Sequence, residues 1–451
     1  MRGMIGLEIH TYLVTEQKLF CECAASREKG LKANVNICAI CIGQPGAKPM
    51  LPNEKAVGEA VKIGLMLRCK INEKLVWQRK HYSWPDLPKG YQDTISGSKA
   101  VSLGEEGKFA GIRIRSMHLE EDPAAWEPET GRVDYNRSGL PLVEIITEPD
   151  FTTSEEVGAW LKKLIHNLEY LKCVASDAGI KVDVNVNIPG KTERVEIKNV
   201  NSIESIMRAI DFEFERQAKE GNTKKETRRF DAVKGKTVKM REKEGEDDYR
   251  FIIDPDLKPI VLDDAFIENL KKEMPESPDE KLEKLIKKYK IEEKDAEVLA
   301  KNLDIVEFFE QAAGKIDGKF ALHWVIKELA GMLNYNKKKL SEVDIRVEHF
   351  VEVLEAVKKG KITEGQGKKM IQEFYPRSFS LKGRKIEGKI SDSSQLGEVV
   401  QEVLRKEKEA VEKLKKGDDK VINYLIGQVM KETKGRADFK VVSEMIRKLV
   451  K

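Results

Sequence analysis

Ile5-Gly6-Leu7-Glu8-Ile9-His10 alternates strictly along the chain. In an extended strand successive side chains leave opposite faces, so Leu7 and Ile9 address one side while Glu8 and His10 address the other. The same period of two recurs in Ile112-Arg113-Ile114-Arg115, in Val182-Asp183-Val184-Asn185-Val186-Asn187-Ile188 and in Val195-Glu196-Ile197-Lys198. Such runs mark half-buried strands of an antiparallel sheet. Helical segments lie between them: Ser154–Leu171, with Ser154 as the expected N-cap and Glu155-Glu156 in the first turn, and Ser202–Lys219. The reading is an α+β domain over residues 1–265.

Working outward, composition divides the chain. All six cysteines, twelve of the fifteen prolines and four of the five tryptophans precede residue 262. Beyond it Pro278–Lys290, Glu292–Asn302 and Val343–Lys359 carry apolar residues at helical spacing with Lys and Glu between them. The pattern breaks at Lys359–Gly367 and is irregular from Tyr375-Pro376 to Asp392, so all-α helical (266–375) and tail (376–451) domains are expected. At 451 residues the chain is too long for one ordinary domain. Its 81 basic and 77 acidic residues nearly cancel, to +4, which excludes a disordered polyelectrolyte and a uniformly basic nucleic-acid coat. With no run of 18 apolar residues and no signal-peptide pattern, the expected setting is cytoplasmic, without membrane contact or disulfides.

The cysteines then call for another explanation. Cys21-x-Cys23 and Cys38-x-x-Cys41 are separated by fourteen residues. Two close pairs on tight turns can bring four thiolates to one tetrahedral zinc ion, a coordinatively closed and therefore structural site. Buried, metal-free cysteines are the alternative, and that is the reading for the isolated Cys69 and Cys173.

The polar faces of the strands carry the chemistry. Glu8 and His10 share a face, as do His118 and Glu120, Glu144 and Glu148, and Asp183, Asn185 and Asn187. In any single strand this is a solvated face. Four strands whose polar positions are mostly Glu, His, Asp and Asn are a different matter, because crowded carboxylates repel unless a cation neutralises them. Oxygen-rich sites with an imidazole suit Mg²⁺ held jointly with nucleotide phosphates. Positive charge for phosphate or a substrate carboxylate is available in Gln78-Arg79-Lys80-His81 and Asp134-Tyr135-Asn136-Arg137, both next to turns. No Walker loop, GxGxxG fingerprint or GxSxG elbow is present, so an ATP site here is of another kind.

Long stretches of the chain resemble the GatB family, the B components of the tRNA-dependent amidotransferases. They include Gly6–His10, Lys18–Cys21, Arg79–Gln92, His118–Asp122, Asp134–Arg137, Glu144–Asp150, Glu196–Ser202, Glu226–Asp231, Asp248-Tyr249-Arg250, Gly427–Lys431 and Lys434–Ala437. The resemblance implies a cradle domain similar in fold to glutamine synthetase, followed by helical and tail domains that bind misacylated tRNA(Gln) or tRNA(Asn). It implies ATP-dependent activation of the tRNA-bound carboxylate as an acyl phosphate. Ammonia from a glutaminase A subunit then gives the amide, and a small C subunit joins the glutaminase to this chain. Position by position, it assigns metal binding to His10, Glu121 and Glu144, with Glu8 and Glu120 adjacent, and a place at the catalytic centre to Lys80. The expected nucleotide-binding set is Arg79, Lys80, Asn136, Arg137, Asp183 and Asn185. The chain departs from the family at Pro123-Ala124-Ala125-Trp126, where many members carry Ala-Gly-Lys, and at Ser176–Lys181. An archaeal E-type subunit would need a large insertion, for which the path from Asp248-Tyr249-Arg250 through Asp254-Pro255-Asp256 leaves no room. A tRNA-binding scaffold with a lost active site would not keep Glu8, His10, Lys80, Glu121 and Glu144.

Overall fold

The computed structural model describes residues 3–450 except 29, 175–179, 222, 243–248, 385–387, 391–392 and 417. Of the stretches singled out above, Ser176-Asp177-Ala178-Gly179 and Asp248 lie outside these residues. The chain forms two compact units, Met1–Ser277 and Pro278–Lys451.

The first unit is built on a twelve-stranded sheet. Its strands include β1 (Met4–Tyr12), β2 (Gln78–His81), β3 (Gln92–Thr94), β4 (Ile112–Glu121), β5 (Pro141–Thr147), β6 (Lys181–Asn187) and β7 (Val195–Val200). Three more follow: β8 (Glu226–Asp231), β9 (Lys236–Glu242) and β10 (Arg250–Ile253). The order across the sheet is β9-β8-β7-β6-β1-β5-β4-β3-β2-β10. Among these neighbours only β7 and β8 run parallel. β1, the strand with the clearest alternation, sits between β5 and β6 near the middle of the order.

Alternation sorts the side chains as expected. Ile5, Leu7, Ile9, Val143, Ile145, Val182, Val184 and Val186 are fully or almost fully buried in one core. Helices supply the other half of that core, among them Glu54–Met66 through Val57, Val61 and Ile63, α1 (Ser154–Leu171) through Leu161, Leu164 and Leu168, and α2 (Ile203–Glu220) through Ile206, Ile210 and Phe214. Burying one apolar side chain of this size is worth about 1.5–3 kcal/mol, so this face holds the sheet in place. The N-cap of α1 is Thr153, not Ser154: its hydroxyl accepts from Glu156 N at 3.2 Å, and Ser154 is already helical. Ser202 caps α2 as its position suggests. Within β4 the phase of alternation changes. The ladder slips between Ile146 and Thr147, so Ile114 joins Met117 and Leu119 in the core and His118 and Glu120 turn to the opposite face.

The helix Asp264–Glu273, expected to open the helical domain, places Leu270 in the first unit's core. The second unit is helical and holds two hydrophobic cores. One gathers Phe309, Trp324, Phe350 and Phe374; the other gathers Val400, Leu425, Val429, Val442 and Ile446. The tail helices Ser393–Lys406, Lys408–Lys415, Val421–Glu432 and Phe439–Val450 supply the second. No described helix is long and apolar enough to cross a membrane.

Candidate active site

Strand register assembles the polar face. His10 lies opposite Glu144, Glu144 opposite His118, Glu8 opposite Asp183, Glu120 opposite Thr94, and Lys80 opposite Gln92. Directly opposed residues share a face, so residues scattered from 8 to 183 converge.

At its centre His10 Nε2 lies 3.4 Å from Glu144 Oε1 and 3.8 Å from Glu8 Oε1. Burial opposes the imidazolium, but Glu144 and Glu8 outweigh it and lift His10 to about 9. Burial and the neighbouring Glu144 push Glu8 up to about 8, with His10 pulling the other way. Glu144 is buried too, yet its contact with His10 and the charges of Lys80 and His118 hold it well below the usual carboxylate range. One carboxylate thus keeps its charge while its neighbour retains a proton. This is the expected response of crowded acids, of which one is raised by the other's charge. Ligand atoms of Glu8, His10 and Glu144 all lie within 4.8 Å of one another, and His10 Nδ1 is buried without a partner. Two carboxylates and an imidazole around so small a space fit a hard divalent ion with open positions.

The neighbours are fixed in place. Glu120 accepts from Thr94 Oγ1 at 2.6 Å, Ser96 Oγ at 3.2 Å and Gln92 Nε2 at 3.2 Å. Lys80 Nζ lies over the Tyr249 ring, 5.0 Å from its centroid. Although burial disfavours its ammonium, Glu120, Glu144, Tyr249 and Glu8 keep it charged. Asp183 is paired with Lys198 at 2.8 Å, and Asn185 sits opposite Gly6 on the same face.

Other expected site residues are directed elsewhere. Glu121, adjacent to Glu120 and so on the other side of β4, accepts from Asp93 N at 2.8 Å and pairs with Lys89. The acid that stands with His10 and Glu144 is Glu8. Arg79, next to Lys80, forms a fork with Asp254 at 2.7 Å and Asp256 at 2.8 Å. Glu148 lies past the end of β5 and pairs with Arg115 at the surface, not beside Glu144. Asn136 clamps the loop between the cysteine pairs: Oδ1 accepts from Val35 N and Asn36 N, and Nδ2 donates to Lys32 O. Arg137 Nε donates to Pro123 O and lies 3.0 Å from Asp122, whose other partner is the Tyr12 hydroxyl.

His118, placed on the polar face with Glu120 by its spacing but assigned no metal or catalytic role, sits beside Glu144. Its Nδ1 donates to the Ile95 carbonyl at 3.1 Å, because a carbonyl can only accept, and Nε2 shares a 2.9 Å hydrogen bond with Ser116 Oγ. Its two-residue spacing from Glu120 is the available signal. Lys198, which neutralises Asp183, gives none, since an alternating lysine is the ordinary solvated residue of a strand.

Cys21, Cys23, Cys38 and Cys41 bring their sulfurs within 4.8 Å of one another, and all six cysteines are free of disulfides. A zinc tetrahedron with bonds of about 2.3 Å has edges of about 3.8 Å, so the donor set fits that ion. Cys38 N donates to Cys41 Sγ at 3.1 Å. Lys18, buried below the cluster, donates to Asn36 O and Tyr135 O. Cys69 and Cys173 are core residues, as expected.

An acid-lined face with a half-buried lysine, on a sheet backed by helices, carries the charges that phosphoryl- and acyl-transfer chemistry uses. Residues 3–268 match the family described as the GatB/GatE catalytic domain, and residues 307–450 match the GatB domain. The B subunit of the aspartyl/glutamyl-tRNA(Asn/Gln) amidotransferase from Methanothermobacter thermautotrophicus is 42% identical, with 99% of each chain covered. The protein of the same name from Methanobrevibacter smithii is 42% identical over 96% of this chain and 97% of its own. The one from Methanopyrus kandleri is 41% identical over 98% and 97%. The chain belongs to the GatB family of amidotransferase components.

Proposed function

We propose that the acid-lined face is the synthetic centre of a tRNA-dependent amidotransferase, where Glu-tRNA(Gln), Asp-tRNA(Asn) or both become the corresponding amide. The observation that carries this reading is the convergence of Glu8, His10 and Glu144 with Lys80 and Glu120 on one face of the sheet. Supporting it, the relatives named as amidotransferase B subunits match this chain from end to end. The short path from β10 (ending at Ile253) to the helix at Asp264 disfavours an E-type subunit. A likeness of the cradle to glutamine synthetase belongs to the same reading: both would line an antiparallel sheet with carboxylates.

A side-chain carboxylate is a poor nucleophile towards ATP because both are anions. When bound, Mg²⁺ at Glu8, His10 and Glu144 would screen that repulsion and orient the phosphates. The substrate oxygen attacks the γ-phosphorus and ADP leaves; ammonia then attacks the acyl carbon, phosphate leaves and one proton is released. Lys80, held charged by four neighbours, places positive charge where the phosphoryl or acyl-phosphate oxygens come to lie. Glu120, fastened by three donors, is positioned to accept a proton from the incoming ammonia. Asp183 and Asn185 extend the polar face on the β6 side. The cysteine cluster, with zinc, fixes the loop 24–37 and takes no part in the chemistry. Ammonia is supplied by a glutaminase A subunit, with a small C subunit completing the assembly.

The test is the purified complex with misacylated tRNA, glutamine and ATP. Amide formation coupled to ATP hydrolysis is expected. Tight tRNA binding with no turnover of ATP would refute the reading.

A further inference from the structure

Trp84 is 55% exposed, the most exposed tryptophan of the chain; Trp77, Trp160 and Trp324 are buried. Its partner is Trp126, half-buried, with ring centroids 5.2 Å apart and planes at 87°. Two perpendicular rings make a corner in which a flat heterocycle can stack on one face with its edge against the other.

The corner is built onto the active-site strands. Trp84 follows β2, which carries Lys80, and Trp126 follows the Glu120-Glu121-Asp122 end of β4. Ala124 N donates to Asp86 O at 2.8 Å, tying the two loops together. Arg137 donates from Nε to Pro123 O at 3.0 Å and from Nη2 to Ala124 O at 2.9 Å. Its guanidinium is thereby fixed beside the loop bearing Trp126. Exposed aromatic rings are the chemistry that holds unpaired bases, by stacking.

We propose that Trp84 and Trp126 form a stacking platform for a base in the unpaired 3′ end of the substrate tRNA. This rests on the reading of the acid-lined face as the synthetic centre. The aminoacyl group is esterified to the terminal ribose, so that end must reach the strands bearing Lys80 and Glu120. The adenine of ATP is the other base at the site. A small nucleotide gains affinity from an enclosing pocket that buries most of its surface. An open, half-exposed corner suits a base delivered by a macromolecule.

The experiment uses the whole amidotransferase complex carrying Trp84→Ala, Trp126→Ala or Trp84→Phe. In Trp84→Ala the KM for misacylated tRNA and the Kd for intact uncharged tRNA should rise about 5- to 150-fold, the range a stacked base supplies. The KM for ATP should stay unchanged, and Trp84→Phe should restore most of the loss. tRNA trimmed of its unpaired 3′ nucleotides should bind wild type and Trp84→Ala alike. A rise in the KM for ATP in place of that for tRNA overturns the proposal in favour of adenine. Equal weakening for intact and trimmed tRNA, or no effect of either alanine, also overturns it. Absence of amidation by the wild-type complex would instead refute the functional reading.

Discussion

Glu144 holds the electrostatic balance around His10, because its contact with His10 and the charge of Lys80 hold it well below the usual carboxylate range while its neighbour Glu8 is raised. Replacing it with glutamine preserves shape and removes its charge. Glu144→Gln should lower the rate of ATP hydrolysis with misacylated tRNA by about 100-fold or more and raise the Mg²⁺ needed for half-maximal rate. The melting temperature should barely move. Behind the site, Asp93 is buried against Glu121 and Asp254 and bonded to Lys89. Burial first, then Glu121, raise it to about 8 against the pull of Lys89. The unfolded chain releases this proton at about pH 4, so between about 4 and 8 the folded state holds more protons and stability falls as pH rises. Asp93→Asn should therefore show a smaller drop in melting temperature from pH 5 to pH 8 than wild type, measured by calorimetry.

At the scale of elements, the cysteine loop and the segment Val133–Gly139 act as one part. Asn136, Lys18 and Ser138 bond to backbone between Lys32 and Cys41, so the loop is held at its base by sulfur and along its length by hydrogen bonds. Elemental analysis should find one zinc per chain. Its removal by a chelator should make residues 24–37 protease-sensitive while the sheet stays folded. Gly43, at φ 66°, has the Pro88 carbonyl where a side chain would go, 2.2 Å from a built Cβ. Gly43→Ala should cost more than about 1 kcal/mol in urea unfolding, since both the backbone angle and the close approach oppose it. The strands themselves are legible in the sequence wherever alternation runs unbroken, as in Met4–Tyr12. In Ile112–Glu121 the bulge shifts the phase, which no count of alternating residues reveals. Glu148 departs from expectation for a related reason: β5 ends at Thr147, and the next residue leaves the face of Glu144.

At the scale of the molecule, the two compact units carry separate cores. Residues 1–277 expressed alone should unfold cooperatively, and failure to fold would show that the first core is not self-sufficient. In the tail, Lys431, Lys434, Arg436, Lys440, Arg447 and Lys448 gather with few acids among them. Ending the chain near residue 390 should weaken tRNA binding and flatten its salt dependence, because fewer phosphate contacts release fewer counterions. The period of two, the helical spacing and the cysteine spacing determined the strands, the helices and the four-sulfur cluster, since each is a local pattern written in a few consecutive residues. Long motifs carried the family. Which acids work together was decided only in three dimensions. Glu8, expected only as an adjacent acid, stands with His10 and Glu144, while Glu121 pairs with Lys89 and Arg79 and Asn136 turn to Asp254 and to backbone. Register and the side of the strand set those meetings, and a residue's neighbours across a sheet are absent from its neighbours in sequence.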